Sequence, residues 1–274
     1  PSGDDPEASV RWRAIRASLF GERPIALAGA AELTLSAPRR AEDPAFVPIA
    51  LRSAIAPGTP QSIRRLTLVI DNNPSPIAAV IDLPADGALP DIETRARLDE
   101  YTFVRAIAET ADGRLLMATR FVKASGGCSA PAGGDVAAML AAMGRMRFQL
   151  AEPGLFSATS AAGGGDAAAM QASATPWWST GQPVAIQWQV SHPNHTGMAM
   201  DQATRQFTPA HYVRSVRLWQ GERLLLTADV DFALSENPTL RWRFTPHGDG
   251  DLRAEVTDTR ERRYSASLAL KDLR

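Results

Sequence analysis

The stretch YTFVRAIAETADGRLLMATRFVK, residues 101–123, limits the fold of this chain more than any other. Two runs of similar length, rich in branched and aromatic residues, flank Asp112-Gly113. That pair accepts the left-handed backbone of a tight antiparallel turn, so the stretch reads as a hairpin. The same pattern recurs at Leu66–Ile70 and Ile77–Leu83, which flank DNNPSP, a dense cluster of turn residues. Shorter strands are expected at Leu33–Leu35 and Val47–Leu51. Helices are few: a short one near Arg11–Leu19 and an Ala-rich one over 135–143, followed by RMRFQL, which alternates like a strand. Short strands broken by Pro and Gly argue for an antiparallel sandwich.

After 151–181, a low-complexity stretch containing AAGGGDAAAM and Trp177-Trp178, strand patterning returns. VAIQWQV alternates, and VRLWQGERLLLTADV predicts a hairpin around Gln220-Gly221. LRWRFTPHGDGDLRAEVTDT predicts another around 247–251, and YSASLAL closes the chain. The last third is therefore a second all-β unit, with no literal sequence repeat of the first.

At 274 residues, two domains of ordinary length are expected. Hydrophobic residues make up 45% and charged residues 22%, enough for real cores. The formal net charge is −1 with no basic block, which gives no bulk attraction to nucleic acid or to an anionic membrane. No apolar run approaches the roughly 20 residues of a membrane helix. The opening PSGDDPEAS lacks the apolar core of a secretory leader, so the protein is either cytosolic or shown without its leader.

The chain has one cysteine, Cys128, in SGGCSAPAGG. A lone thiol forms no internal disulfide, and glycines on both sides give it little steric shield. Gly126, Gly127, Gly133 and Gly134 would make this segment a flexible arm presenting a nucleophilic thiol. Lys123 and the helix start near Asp135 are candidate sources of positive potential; the plain alternative is an incidental surface thiol. SHPNHTGMAM supplies His192, His195, Met198 and Met200, donors that suit copper. The two His flank Pro193 and need not converge, and a turn after a strand explains the residues equally well. Asp229 and Asp231, like Asp99-Glu100, read as solvated strand faces rather than as an acid/base pair. GGGD (163–166) lacks the context of a phosphate loop, no nucleophile elbow occurs, and Trp177-Trp178 reads as cover for a sheet edge or the Cys-bearing segment.

Taken in order, these motifs resemble two families. LTLSAPRRAEDPAFVPIALRS, DNNPSPIAAVIDL, TRARLDEYTFVRAIAETADGRL and FVKASGGCSAP resemble SoxY, while QVSHPNHTGM, PAHYVRSVRLWQGERLLLTADV, SENPTLRWRF and EVTDT resemble SoxZ. The resemblance covers most of 30–130 and 183–270. It implies an all-β fold of two immunoglobulin-like antiparallel β-sandwiches joined by a glycine-rich, Cys-bearing connection. The boundaries it suggests are 1–124, an arm over 125–143, and 144–274 with a long insertion at 153–181.

It also implies a periplasmic, non-catalytic carrier, without metal or other cofactor, on which Cys128 covalently holds an oxidation intermediate. The implied partners are periplasmic redox enzymes, with neither nucleic acid nor membrane, and a Cys128-linked dimer is expected on air oxidation. The alternative is a non-covalent all-β adaptor for a quinoprotein dehydrogenase or cytochrome. His192 and His211 match SoxZ motif positions and are expected to be parts of the fold. Two departures stand out: Cys128 is followed by 146 residues rather than ending the chain, and GGCSAP replaces GGCGG. The fused form resembles single-chain carriers associated with PQQ-dependent quinoprotein dehydrogenases, for which the sulfur cargo need not be thiosulfate.

Overall fold

The computed structural model describes residues 6–131, 136–151, 181–201 and 204–273. The expected insertion up to residue 180, Trp177-Trp178 within it, and Gly133 and Gly134 lie outside the described residues. Among the described residues, fifteen strands and two α-helices follow in chain order. The first half carries α1 (Val10–Phe20), β1 (Ile25–Leu27), β2 (Thr34–Ser36), β3 (Val47–Arg52), β4 (Ile63–Ile70), β5 (Ile77–Asp82), β6 (Ala88–Ala96), β7 (Thr102–Thr110) and β8 (Leu115–Val122). After α2 (Val136–Ala141) come β9 (Met146–Leu150), β10 (Val184–Val190), β11 (Val213–Gln220), β12 (Arg223–Val230), β13 (Thr239–Phe244), β14 (Leu252–Asp258) and β15 (Arg263–Leu268).

The strands form a sandwich of two sheets, ordered β1-β8-β7-β4-β5-β12-β11-β14-β15 and β2-β3-β6-β13-β10-β9. Both sheets run unbroken from the first half into the second, through the antiparallel pairs β5–β12 and β6–β13. The halves are therefore not separate bodies strung on a linker. One apolar core, including Ile49, Ile92, Trp188, Leu218, Trp242 and Phe244, fills the space between the sheets. Each fully buried Ile, Leu or Phe there contributes roughly 1.5–3 kcal/mol. The sheet orders are also mirror images about the seam: β8-β7-β4-β5 faces β12-β11-β14-β15 in reverse, and β2-β3-β6 faces β13-β10-β9. A structural repeat thus exists where the sequence shows none.

Most expected strands are present, and the hairpins β4–β5, β7–β8 and β11–β12 pair as anticipated. The expected hairpin around 247–251 is not one. β13 belongs to the six-stranded sheet and β14 to the nine-stranded sheet, so 245–251 crosses from one sheet to the other. Strand β6 has no counterpart in the expectation, although it carries the seam. Its charged residues are matched across it: the buried Arg241 Nη1 donates to Glu93 Oε1 at 2.8 Å, and Arg52 donates to the same oxygen.

Helix α1 starts at Ser9, whose Oγ accepts from the Trp12 N–H at 3.1 Å, a side-chain cap for an otherwise unpaired donor. Trp12 packs with Val69, Ile107, Leu115 and Met117 on the outer face of the nine-stranded sheet. The buried Arg105 guanidinium lies 4.3 Å from the Trp12 ring and is held by Asp71 at 2.8 Å. Asp71 opens the DNNPSP turn, which ties that turn to the sheet.

Candidate functional site at the seam

The turn DNNPSP leads to the site. Asn73 Nδ2 donates to the Arg97 carbonyl at 2.8 Å, and Asn73 Oδ1 accepts from the Asp99 N–H at 3.0 Å. The backbone just after β6 is thereby braced from both sides, and the chain leaving β8 lies along it. Gly126 N–H donates to the Asp99 carbonyl at 2.8 Å, and Gly127 N–H to the Leu98 carbonyl at 2.9 Å. Cys128 N–H reaches Asp99 Oδ1 at 3.3 Å. The second half closes the site: Thr196 Oγ1 donates to the Cys128 carbonyl at 2.7 Å and accepts from the Met198 N–H.

Cys128 is therefore not displayed on a loose arm. It is a free thiol with 0% exposure, pinned by both halves. Gly126 and Gly127 serve this packing. A Cβ on Gly127 would lie 2.1 Å from the Pro44 carbonyl oxygen and 2.6 Å from that of Leu98, so only glycine lets the backbones approach. Gly126 has φ +80°, in the left-handed region.

The electrostatics oppose a thiolate. Burial, with help from the Asp99 and Asp231 carboxylates, pushes the Cys128 thiol up to about 12, and Arg97 offsets this only in part. Arg97 is itself buried, and burial lowers its pKa; its Nη1 donates to the carbonyls of Phe232 at 2.9 Å and Leu234 at 2.5 Å. Asp231, raised mainly by burial, accepts from the Ser75 hydroxyl and the Ala233 N–H. At neutral pH the docked cysteine is a neutral thiol, not a nucleophile.

The residues acting on Cys128 thus differ from those anticipated. Lys123 is engaged in backbone pairing with Arg39 and Arg40, and the cation that acts on the thiol is Arg97. Asp99 and Asp231, expected on solvated strand faces, are half-buried at the site. Asp231 lies just beyond the end of β12, and nothing in the local pattern marks Thr196. Only the unbroken order Arg97-Leu98-Asp99 after an unrecognised strand could have pointed there.

The histidines form a separate centre. His192 Nε2, His211 Nε2 and Asp258 Oδ2 converge, with Asp258 Oδ2 at 2.7 Å from His211 and 3.5 Å from His192. The Tyr264 hydroxyl donates to the same oxygen at 3.2 Å, and the N–H groups of Arg260 and Arg262 donate to Oδ1. Burial would raise this carboxyl; the His211 bond and the two backbone donors outweigh it and hold it below its ordinary value.

The tautomer bears on the copper reading. Asn194 N–H donates to His192 Nδ1 at 3.0 Å, so the ring proton sits on Nε2, facing Asp258. A metal on Nε2 would need that proton on Nδ1, against the Asn194 N–H. Burial and the nearby His211 push His192 down to about 4, so it stays neutral. His195 meets His211 through backbone bonds at 2.8 and 3.0 Å. The geometry is that of a hydrogen-bonded anchor for the 192–198 segment, whose far end holds Cys128.

Comparison with known families finds one match in each half of the chain. Residues 16–128 match the family model described as sulfur oxidation protein SoxY, and residues 176–269 match that of sulphur oxidation protein SoxZ. The first match ends on Cys128. Among curated proteins, none matches the sequence. The solved structure of the sulfur carrier protein SoxY from Chlorobium limicola f thiosulfatophilum is 29% identical over 41% of this chain and 94% of its own, with a TM-score of 0.34. A superoxide reductase (neelaredoxin) from Ignicoccus hospitalis is 18% identical over 33% of this chain and 78% of its own, with a TM-score of 0.29. Fibronectin(III)-like modules of Clostridium thermocellum CbhA are 10% identical over 86% and 92%, with a TM-score of 0.24. At these TM-scores the structural likenesses carry no functional weight.

Proposed function

We propose, from a chain that carries a SoxY domain followed by a SoxZ domain, that this protein is a periplasmic carrier in sulfur oxidation with Cys128 as its covalent attachment site. One observation carries the reading: the SoxY match stops on the single cysteine of the chain, at the junction with everything that follows. Loading by oxidative coupling would join the Cys128 sulfur to that of an incoming sulfur species. One S–S bond forms, the thiol proton leaves, and two electrons pass to a partner redox protein. Release by thiol exchange breaks that S–S bond: an attacking thiolate forms a new S–S bond to the cargo sulfur, and Cys128 leaves as the thiolate and is reprotonated.

The docked thiol sets a condition on this chemistry. A neutral, enclosed cysteine reacts only after 126–131 lifts from Asp99, Leu98 and Thr196, so loading is coupled to undocking. Docking hides the unloaded thiol from adventitious oxidation, and a Cys128-linked dimer forms only from the undocked state. The partners are sulfur-oxidising enzymes; the single-chain form and the GGCSAP sequence favour a quinoprotein dehydrogenase or cytochrome among them.

The burial of Cys128 supports one rival, a non-covalent adaptor in which the thiol is only a packing residue. Replacing Cys128 with Ser in the native host separates the two. Loss of the sulfur-oxidation or dehydrogenase phenotype with the protein still at normal abundance supports the carrier. Full function of the Cys128→Ser strain leaves the adaptor.

A further inference from the structure

The mirror relation between the halves leaves one position unfilled. In the first half, β1 runs parallel to β8 along its outer edge, with Ile25–Leu27 opposite Leu115–Met117. The equivalent edge in the second half is that of β15, the last strand of the nine-stranded sheet, and among the described residues no strand lies beyond it. At six residues, β15 is longer than any of the other three edge strands, β1, β2 and β9. An edge of this length presents a row of backbone donors and acceptors to an added strand.

The surface beside that edge has a definite chemistry. A cavity of about 540 Å³ opens on β11, β14 and β15, lined by Arg214, Arg217, Arg263, Tyr264 and Glu255 among others. Pairing places Arg217 opposite Glu255 and Ser265 opposite Glu255 in turn, and Arg263 opposite Thr257. The charges are only partly matched. Glu255 is taken by Arg253 at 2.6 Å, and Arg214 by Glu261 at 2.7 Å. The Arg217 and Arg263 side chains have no ion pair or hydrogen bond among the described residues. In a chain of net charge −1, two unmatched guanidiniums beside an open edge mark a local excess of positive charge.

We infer that β15 and the arginine-lined cavity beside it form a docking site for an extended, carboxylate-rich segment of a partner protein, added as a strand parallel to β15. The backbone of the segment pairs with the edge, as β1 pairs with β8, and its acidic side chains reach Arg217 and Arg263. The 152–180 segment of this chain is poorly suited, since Glu152 and Asp166 are its only acidic residues. The inference does not depend on Cys128 and stands or falls apart from the carrier reading.

The test uses the full chain and a fluorescein-labelled 12-residue peptide alternating Glu and Val, with a Lys-Val peptide as control. Binding is read by anisotropy, and amide exchange is followed over 263–268. The expected result is binding of the acidic peptide only, weakened about tenfold or more by raising salt from 25 to 250 mM. Protection of the β15 amides should accompany it, and Arg217→Glu with Arg263→Glu should reduce affinity about tenfold, with an unchanged melting temperature verifying the fold. Failure of the wild-type chain to bind would overturn the inference. So would displacement of the peptide by sodium sulfate without β15 protection, which indicates a simple anion site. Protection of β15 that rises with protein concentration alone would assign the edge to a second copy, and protection without peptide at any dilution to the chain itself; either result contradicts the partner site.

Discussion

Thr196 and Cys128 lie 68 residues apart in sequence and on opposite sides of the seam, yet the Thr196 hydroxyl donates to the Cys128 carbonyl at 2.7 Å. The same hydroxyl accepts from the Met198 N–H, so one side chain locks two segments. Thr196→Val keeps the shape, removes both bonds and leaves a buried carbonyl without a donor, at a cost of about 1–2 kcal/mol. Reaction of Cys128 with a disulfide reagent should therefore speed up by about fivefold to thirtyfold, since each 1.4 kcal/mol is a factor of about ten. An unchanged rate would mean that the bond does not hold the docked state.

The shielded thiol gives a pH prediction. The folded Cys128 is raised from 9.0 to about 12, mainly by burial. Between those values the unfolded chain loses its thiol proton while the folded chain keeps it, so stability falls as pH rises from about 9 to 12. Below 9 both states hold the proton and the contribution is constant. Denaturant unfolding from about pH 8 to 10.5 should show a steeper decline for the wild type than for Cys128→Ser. Parallel curves would show that the thiol ionises freely in the folded state.

Strand β6 explains what was and was not legible in the sequence. The periodic apolar strands and their tight turns were readable because each is a local pattern. ALPDIETRA was not, because Pro90, Asp91, Glu93 and Arg95 mask its alternation, and their partners on β3 and β13 are distant in sequence. The crossing at 245–251 failed for a related reason: local turn chemistry does not say which sheet receives the next strand. At the site, the glycines around Cys128 were visible but their use was not. Close approach of Gly127 to the Pro44 and Leu98 carbonyls depends on backbone brought in from elsewhere.

Glu93 carries the seam electrostatically. Glu93→Ala removes the hydrogen-bonded carboxylate of Arg241, which is 4% exposed, and leaves it only Asp91 at 3.8 Å, so it should lower stability by about 3 kcal/mol. Because both sheets are continuous, the loss should appear in one cooperative unfolding transition seen equally by probes in each half. Two separate transitions would contradict the shared core.

Gly127→Ala tests the packing of the arm without touching the thiol. The added Cβ cannot fit beside the Pro44 and Leu98 carbonyl oxygens, so 126–131 should be driven from its place. The expected outcome is a Cys128 that labels rapidly near neutral pH and a chain cut more readily by protease within this stretch. Slow labelling equal to that of the wild type would show that the site accommodates the methyl group.

The central claim, that Cys128 carries a sulfur species, is tested most directly by intact-mass and peptide mass spectrometry of protein taken from its native host during sulfur oxidation. A carrier predicts a mass increase confined to the Cys128 peptide and removed by a thiol reductant. Protein that remains wholly unmodified at Cys128 while the pathway turns over would contradict it.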